Sequence, residues 1–242
     1  MLQKLAIAAL PLMLSAAAIV APPNPVRSYD RSTVVAITTS GRHDIATQAT
    51  ENAADRQGKP IRFVVASVGN EARYRVREQL ARVDFPSDAI GKTNQVTGAL
   101  VIGADGKIAR DGSSFTVDLK SIQSDNMRRD GFVRRNTLQT DSFPTAVFIP
   151  TSAKGLPATL PATGEMTFEL MGDLTIHGVT KPATWQVKAS RNASGSVTGT
   201  ATTNFKFADF GMTIPKVGMV LSVDDSITLE YDFNLLPQPA TN

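Results

Sequence analysis

The chain has 242 residues, of which 42% are hydrophobic and 19% charged, a composition that is typical of a globular protein and excludes wholesale disorder. With no cysteine and only two histidines, the sequence excludes disulfides and thiolate metal sites, and we expect neither a metal nor a cofactor. The net charge of +3 is too small to favour a nucleic-acid partner.

Residues 1–21 have the pattern of a secretory signal peptide. Lys4 precedes an apolar run from Leu5 to Val20, and the small residues around Ala18 offer a cleavage site. The run is shorter than the ~20 residues that span a bilayer, and Pro11 interrupts it. We therefore expect export to the periplasm, the cell envelope or the exterior, with a retained membrane anchor as the alternative.

Residues 22–60 are predicted to be a flexible spacer, because they are rich in proline and polar residues and contain one aromatic residue, Tyr29. The remaining aromatic residues begin at Phe63. We expect one folded domain over residues 61–236, followed by a short tail over 237–242.

Within 61–236 the apolar residues alternate with polar ones, which indicates β-strands. The clearest stretches are 115–119, 166–170 and 226–235. Turn residues at 104–107 and 192–195 favour hairpins, and Gly178 and Pro182 are expected to bracket a further turn. About eight amphipathic strands are predicted, which suits either a sandwich or a closed barrel.

Two segments lack this alternation. Residues 124–137 are expected to form one or two short helical turns, and residues 152–164 a loop rich in proline and glycine. Arg128 and Arg129 are candidates for binding a ligand head group or an anionic membrane surface. Pairing with nearby aspartates within the chain is the competing interpretation.

Catalytic motifs are scarce, since G-x-S-x-G, H-E-x-x-H and the phosphate-binding loop are all absent from the sequence. His177 is a candidate ligand contact or general base at a strand end. The alternative, a hydrogen-bonded turn residue, is favoured because no partner for proton transfer is evident.

Four stretches of the sequence together resemble the YceI-like family. They are Phe115–Ile122, Arg129–Asp130, Asp141–Phe148 and Gly172–Pro182. Their order and spacing match the family over roughly residues 61–236. The resemblance implies an all-β fold, an extended antiparallel eight-stranded lipocalin-like β-barrel with a short helical connection. It also implies an exported binding protein, not an enzyme, that holds a long isoprenoid or similar amphiphilic lipid.

The predicted ligand-binding residues are mostly aromatic side chains on inward faces: Tyr74, Phe115, Phe132, Phe148, Phe168, His177, Trp185, Phe205, Phe207, Tyr231 and Phe233. The same side chains are also suited to filling a closed core, so that lining and filling remain open alternatives. An enzyme acting on a small amphiphile with His177 in an acid–base pair, and a ligand-free structural barrel, are the two competing hypotheses.

Overall fold

The computed structural model describes residues 59–239, so the predicted signal peptide, nearly all of the predicted spacer and the last three residues lie outside the described part. The strands are β1 (Ile61–Val65), β2 (Glu71–Leu80), β3 (Ser87–Thr93), β4 (Val96–Ile102), β5 (Ile108–Asp118), β6 (Thr145–Lys154), β7 (Gly164–Ile176), β8 (Val179–Arg191), β9 (Val197–Lys206) and β10 (Val220–Pro239).

These ten segments form the eight strands of a closed antiparallel barrel. β1 and β2 lie end to end along the long strand β10, and β3 and β4 lie end to end beside them. From β4 each strand pairs with the next in the chain, and the pairing of β10 with β1 and β2 closes the ring. The predicted eight-stranded barrel is confirmed, and the sandwich is excluded.

The break between β1 and β2 is held by the side chain of Asn70, which is buried. Its Oδ1 accepts hydrogen bonds from the Tyr231 hydroxyl at 2.8 Å and from the Asn234 backbone N–H at 3.0 Å. Its Nδ2 donates to the carbonyl oxygen of Ala66 at 2.8 Å. The amide therefore provides hydrogen bonds to β10 in the gap between its pairing with β2, which ends at Asp232, and its pairing with β1, which begins at Leu235.

The alternation read from the sequence separates the interior from the exterior of the barrel. In β7, Met166, Phe168 and Leu170 are buried, whereas Thr167 between them is exposed. This period-2 pattern follows from the pleat, which points successive side chains to opposite faces.

The predicted hairpins at 104–107 and 192–195 are confirmed, whereas two boundaries differ from prediction. β6 continues to Lys154, so the loop covers only 155–163. The turn near Gly178 consists of His177 and Gly178 alone, and Pro182 lies inside β8. Proline is tolerated there because β8 pairs with β9 only from Gln186 onwards. On the side that faces β9, Pro182 therefore interrupts no hydrogen bond of the ladder.

The predicted helical turns connect β5 to β6. Helix α1 (Met127–Phe132) continues into a wider helical turn over Val133–Thr137. The Asn126 side chain caps α1 by accepting from the N–H groups of Arg128 and Arg129. Buried Asp130 accepts hydrogen bonds from the backbone N–H and the hydroxyl of Ser124, which anchors the connection.

Candidate functional site

The barrel encloses a cavity of about 760 Å³. Its wall is overwhelmingly apolar and includes side chains from all ten strand segments and from the connection after β5. A volume of this size lies within the range of cavities that bind small molecules. The interior is therefore a cavity and not a filled core.

The structure brings twelve of the thirteen predicted site residues to this cavity. The residues on its wall are Tyr74, Phe115, Phe132, Phe148, Phe168, Trp185, Phe205, Phe207, Tyr231, Phe233, Arg128 and Arg129. His177 is not among the lining residues. The wall also includes many aliphatic side chains and Glu78, which the sequence interpretation did not single out.

Glycines on neighbouring strands allow three of the aromatic rings to lie back against the wall. A Cβ at Gly91 would lie 2.2 Å from the Tyr74 ring, directly across the β2–β3 pair. A Cβ at Gly199 would lie 2.7 Å from the Phe233 ring, and one at Gly172 would lie 2.8 Å from the Phe148 ring. The rings occupy the space that side chains would otherwise fill, which leaves the middle of the barrel open.

One end of the barrel is closed by three connections that contact each other. Leu156 and Leu160 of the loop between β6 and β7 line the cavity and pack against the core. A Cβ at Gly106, in the β4–β5 turn, would lie 2.2 Å from the carbonyl oxygen of Ala158 in this loop. Arg191 donates to the carbonyl oxygen of Pro161 at 3.0 Å, which ties the loop to the end of β8.

The opposite end contains all the cavity-lining residues that are also exposed to solvent. They are Val83, Asn126, Arg128, Val217, Gly218 and Met219. They lie on three segments, namely 81–86 between β2 and β3, 126–133 around α1, and 211–219 before β10. We call these the mouth segments, because the lining reaches solvent there.

Polar groups of the wall concentrate near the mouth. Arg129 Nη2 lies 2.7 Å from Glu78 Oε1, and Arg129 also pairs with Asp125. Burial acts to lower the pKa of Arg129, but Glu78 and Asp125 outweigh it and raise this pKa, so the guanidinium remains charged. Arg129 is thus paired within the chain, as one of the two sequence interpretations predicted, although Glu78 was not foreseen as its partner.

Arg128 and Tyr74 are differently placed. Arg128 is exposed at the mouth and forms no ion pair with the part of the chain that the structure describes. The Tyr74 hydroxyl is buried and has no hydrogen-bond partner among these residues. Burial raises the pKa of Tyr74 to about 12, so this hydroxyl is a neutral donor. Both groups are available to a polar ligand atom near the mouth.

Deeper in the cavity, two aromatic side chains carry polar atoms. The Tyr231 hydroxyl is satisfied by Asn70, whereas Trp185 Nε1 is buried without a hydrogen-bond partner in the described residues. Trp185 packs at 5.8 Å from the Phe148 ring and is the single tryptophan of the chain. A buried donor without a partner lowers the stability of the protein unless a ligand or a water molecule accepts its hydrogen bond.

His177 occupies the turn between β7 and β8, with a backbone φ of 52°. Its ring packs edge-on against Phe143 at 4.7 Å, and Nδ1 donates to the carbonyl oxygen of Phe210 at 3.2 Å. This is the placement of the hydrogen-bonded turn residue that was the competing interpretation of His177. The Nε2 atom of the same ring is buried and has no hydrogen-bond partner in the described residues, so the predicted ligand contact of His177 stays a prediction.

Residues 59–239 contain no group of three or more histidine, aspartate or glutamate side chains that is arranged to hold a metal ion. No helix in this range is long and apolar enough to cross a membrane.

A closed antiparallel barrel that encloses an apolar cavity with a polar mouth defines the class of lipocalin-like barrels. Within that class, the chain belongs to the YceI-like domain family, whose model matches residues 63–235.

Relatives and solved structures agree with this assignment. A UPF0312 protein of Pseudomonas putida (strain W619) is 35% identical over 126 residues, which cover 48% of this chain and 61% of that protein. A UPF0312 protein of Pseudomonas savastanoi pv. phaseolicola (strain 1448A / Race 6) is 34% identical over 115 residues, 43% of this chain and 54% of the relative. The matches thus cover less than two thirds of the length of either relative.

Among solved structures, a polyisoprenoid binding domain from Saccharophagus degradans implicated in plant cell wall breakdown matches with a TM-score of 0.56. The match covers 73% of this chain and 98% of that chain at 13% sequence identity. At this identity the likeness shows a shared fold.

Proposed function

We propose that the barrel binds one long-chain isoprenoid or a similar amphiphilic lipid, with its apolar chain in the cavity and its polar end at the mouth. The cavity itself carries this proposal, because its wall is overwhelmingly apolar and the charged side chains of Glu78, Arg128 and Arg129 lie at the mouth. The structural neighbour described as a polyisoprenoid binding domain supports the same ligand class.

The energetics favour a long apolar chain. Each CH₂ group that is buried contributes about 0.8 kcal/mol, so a few isoprene units outweigh the cost of about 4–15 kcal/mol of association. The proposed contacts of the polar head group are Arg128, which lines the cavity at the mouth, and the unpartnered hydroxyl of Tyr74. Arg129, which is paired with Glu78 and Asp125, orders the mouth and keeps α1 in place.

Binding is proposed in preference to catalysis. The enzyme hypothesis requires an acid–base pair at the cavity, and His177 does not line it. Glu78, the carboxylate buried at the mouth, is held by Arg129 at 2.7 Å. No acid–base pair with His177 is therefore assembled where a bound amphiphile would lie.

Trp185 provides a direct test, since it is the only tryptophan and lies on the cavity wall. The full chain, stripped of lipid, is titrated with a long-chain polyprenyl quinone while the tryptophan fluorescence is followed. We expect saturable quenching, and an affinity that falls by about tenfold or more for each isoprene unit removed from the probe. Absence of saturable quenching would overturn the proposal.

A matched pair of variants locates the binding in the cavity. Ala146 is a residue of β6 that lines the cavity, and the adjacent Thr145 is exposed on the outer face of the barrel. Ala146→Phe fills the cavity and is expected to weaken quinone binding by about tenfold or more. Thr145→Phe adds the same bulk outside and is expected to leave the affinity unchanged.

Export is a separate part of the proposal and rests on residues 1–21. We expect cleavage after Ala18, which removes 18 residues. Measuring the intact mass of the protein recovered from its native host tests this cleavage. A full-length mass would favour the retained anchor instead.

A further inference from the structure

Large apolar side chains that are exposed to solvent are concentrated at the mouth. Seven of the nine such side chains in the described residues lie on the mouth segments or directly after them: Val83, Phe85, Met127, Ile214, Val217, Met219 and Leu221. We call these seven residues the apolar rim. Phe85 is 79% exposed and Met127 is 89% exposed, so they are not part of the packed interior. The other two, Val68 and Leu236, lie elsewhere on the barrel.

The three mouth segments are joined to one another. The backbone N–H of Ala81 donates to the carbonyl oxygen of Met219 at 2.9 Å, which links the first and third segments. Arg129 of the second segment pairs with Glu78 at the end of β2. The apolar rim is therefore one surface around the opening of the cavity and not three unrelated tips.

Cationic side chains lie among the rim residues. Arg82, Arg128 and Lys216 are exposed, and none of them forms an ion pair with a residue in the range 59–239. The same segments contain two carboxylates without an ion pair in that range, namely exposed Asp84 and Asp130, which is buried and accepts hydrogen bonds from Ser124. Protruding apolar tips flanked by free cations are typical of surfaces that insert into the interface of an anionic bilayer.

We propose that the apolar rim docks the mouth of the barrel onto an anionic lipid bilayer. In this arrangement an apolar chain passes between the bilayer and the cavity without crossing water, which removes the main barrier to its transfer. The transfer step rests on the proposed lipid binding, but docking requires only the rim and its charges. Continuity between the rim and the cavity wall at Val83, Val217 and Met219 favours a lipid surface over a protein partner.

The absence of cysteine from the chain makes a local test straightforward. Phe85→Cys on the rim and Val68→Cys away from it are each labelled in the full chain with a thiol-reactive, environment-sensitive fluorophore. Vesicles of phosphatidylcholine with phosphatidylglycerol are added, and vesicles of phosphatidylcholine alone serve as the neutral control. We expect a blue shift and brighter emission at position 85 with the anionic vesicles, and no change at position 68.

This local readout also separates the rim from the apolar N-terminal segment. Vesicle binding through residues 5–20 alone would leave the environment of position 85 no different from that of position 68. Equal responses at the two positions, or no response at either, would overturn the proposal. A label at position 85 that is already blue-shifted without vesicles would show that another part of the chain or a second copy covers the rim, which would also overturn it.

Two variants test the apolar and the charged contributions. In the labelled Phe85→Cys background, Met127→Ser with Leu221→Ser is expected to weaken the response to anionic vesicles by about tenfold. Arg82→Gln with Lys216→Gln is expected to weaken it by about fivefold for each cation removed. None of these four side chains lines the cavity.

The Trp185 titration with detergent-dispersed quinone distinguishes failure of docking from failure of lipid binding. We expect both variants to bind the quinone like the wild type. Normal quinone binding without any vesicle response would overturn docking and leave the proposed function intact, whereas a vesicle response without quinone binding would do the reverse.

Discussion

The two ends of the barrel differ in how their connections are used. At the closed end, the connections contact each other and place Leu156 and Leu160 inside, over the cavity. At the mouth, the connections after β2 and after β5 place Phe85 and Met127 outside, in solvent. The same eight-stranded frame thus has one end that contributes to stability and one end that remains available for binding.

The comparison implies that apolar residues at the two ends contribute very differently to folding. Phe63, in β1 near the closed end, is 2% exposed, whereas Phe85 at the mouth is 79% exposed. We expect Phe63→Ala to lower the free energy of unfolding by about 3–5 kcal/mol and Phe85→Ala to change it by less than about 0.5 kcal/mol. Urea unfolding of the two variants measures this, and similar losses for both would break the comparison.

The wall between the two ends is expected to tolerate little added volume. A Cβ at Gly91 would lie 2.2 Å from the Tyr74 ring, so Gly91→Ala forces the ring towards the cavity. We expect a loss of about 2–3 kcal/mol in the free energy of unfolding, together with weaker quinone binding. In a Tyr74→Leu background the same substitution should cost much less. An equal cost in both backgrounds would show that the ring is not what Gly91 accommodates.

At the mouth, the Glu78–Arg129 pair is expected to be the main polar contribution to stability. Glu78 is buried and the Arg129 side chain is 19% exposed, so removal of the carboxylate leaves a mostly desolvated guanidinium with Asp125 alone. We expect Glu78→Gln to cost about 1–2 kcal/mol, less than a fully buried pair because solvent screens Arg129. A double-mutant cycle with Arg129→Gln measures the coupling, and strictly additive losses would contradict the pair.

The outer wall is expected to contribute less, and in a pH-dependent way. A hydrogen bond from Arg75, assisted by one from Arg73, outweighs burial and holds the pKa of Glu230 below its ordinary value of 4.5. Because the folded-state pKa is the lower one, this stabilisation is complete above about pH 4.5 and is lost as the pH falls through the folded-state value.

The corresponding experiment compares urea unfolding of the wild type and of Glu230→Gln at neutral and acidic pH. We expect the variant to lose less stability on acidification, by under about 1 kcal/mol, because these groups are partly exposed. Arg75→Gln should flatten the acid dependence in the same direction. An unchanged acid dependence in both variants would show that the network does not couple to folding.

Local sequence patterns were sufficient to predict the strands and most of the inward-facing residues, but they left a sandwich and a barrel open, and the barrel was predicted from the resemblance to the YceI-like family. The alternation of apolar and polar residues at 166–170 and 226–235 follows from the pleat of a β-strand. The hairpins at 104–107 and 192–195 were predictable because these positions contain residues that favour turns. Pro182 misled the turn prediction, because its tolerance depends on where β9 begins to pair, which local sequence does not reveal.

The cavity and its mouth depend on contacts between distant segments and were harder to predict. Gly91 and Gly199 leave room for the rings of Tyr74 and Phe233, but each of these rings belongs to a neighbouring strand, which local sequence does not reveal. Glu78 and Arg129 are 51 residues apart, so no local spacing suggested the pair. His177 lies within the stretch Gly172–Pro182 that resembles the family, and its contacts with Phe143 and Phe210 hold a turn.

Organic extraction of the purified protein, followed by mass spectrometry, tests cavity occupancy most directly. We expect about one long-chain apolar molecule per barrel from the wild type and from Thr145→Phe, and clearly less from Ala146→Phe. Recovery of no such molecule from the wild type, together with no uptake of an added polyprenyl lipid, would contradict a lipid-binding cavity.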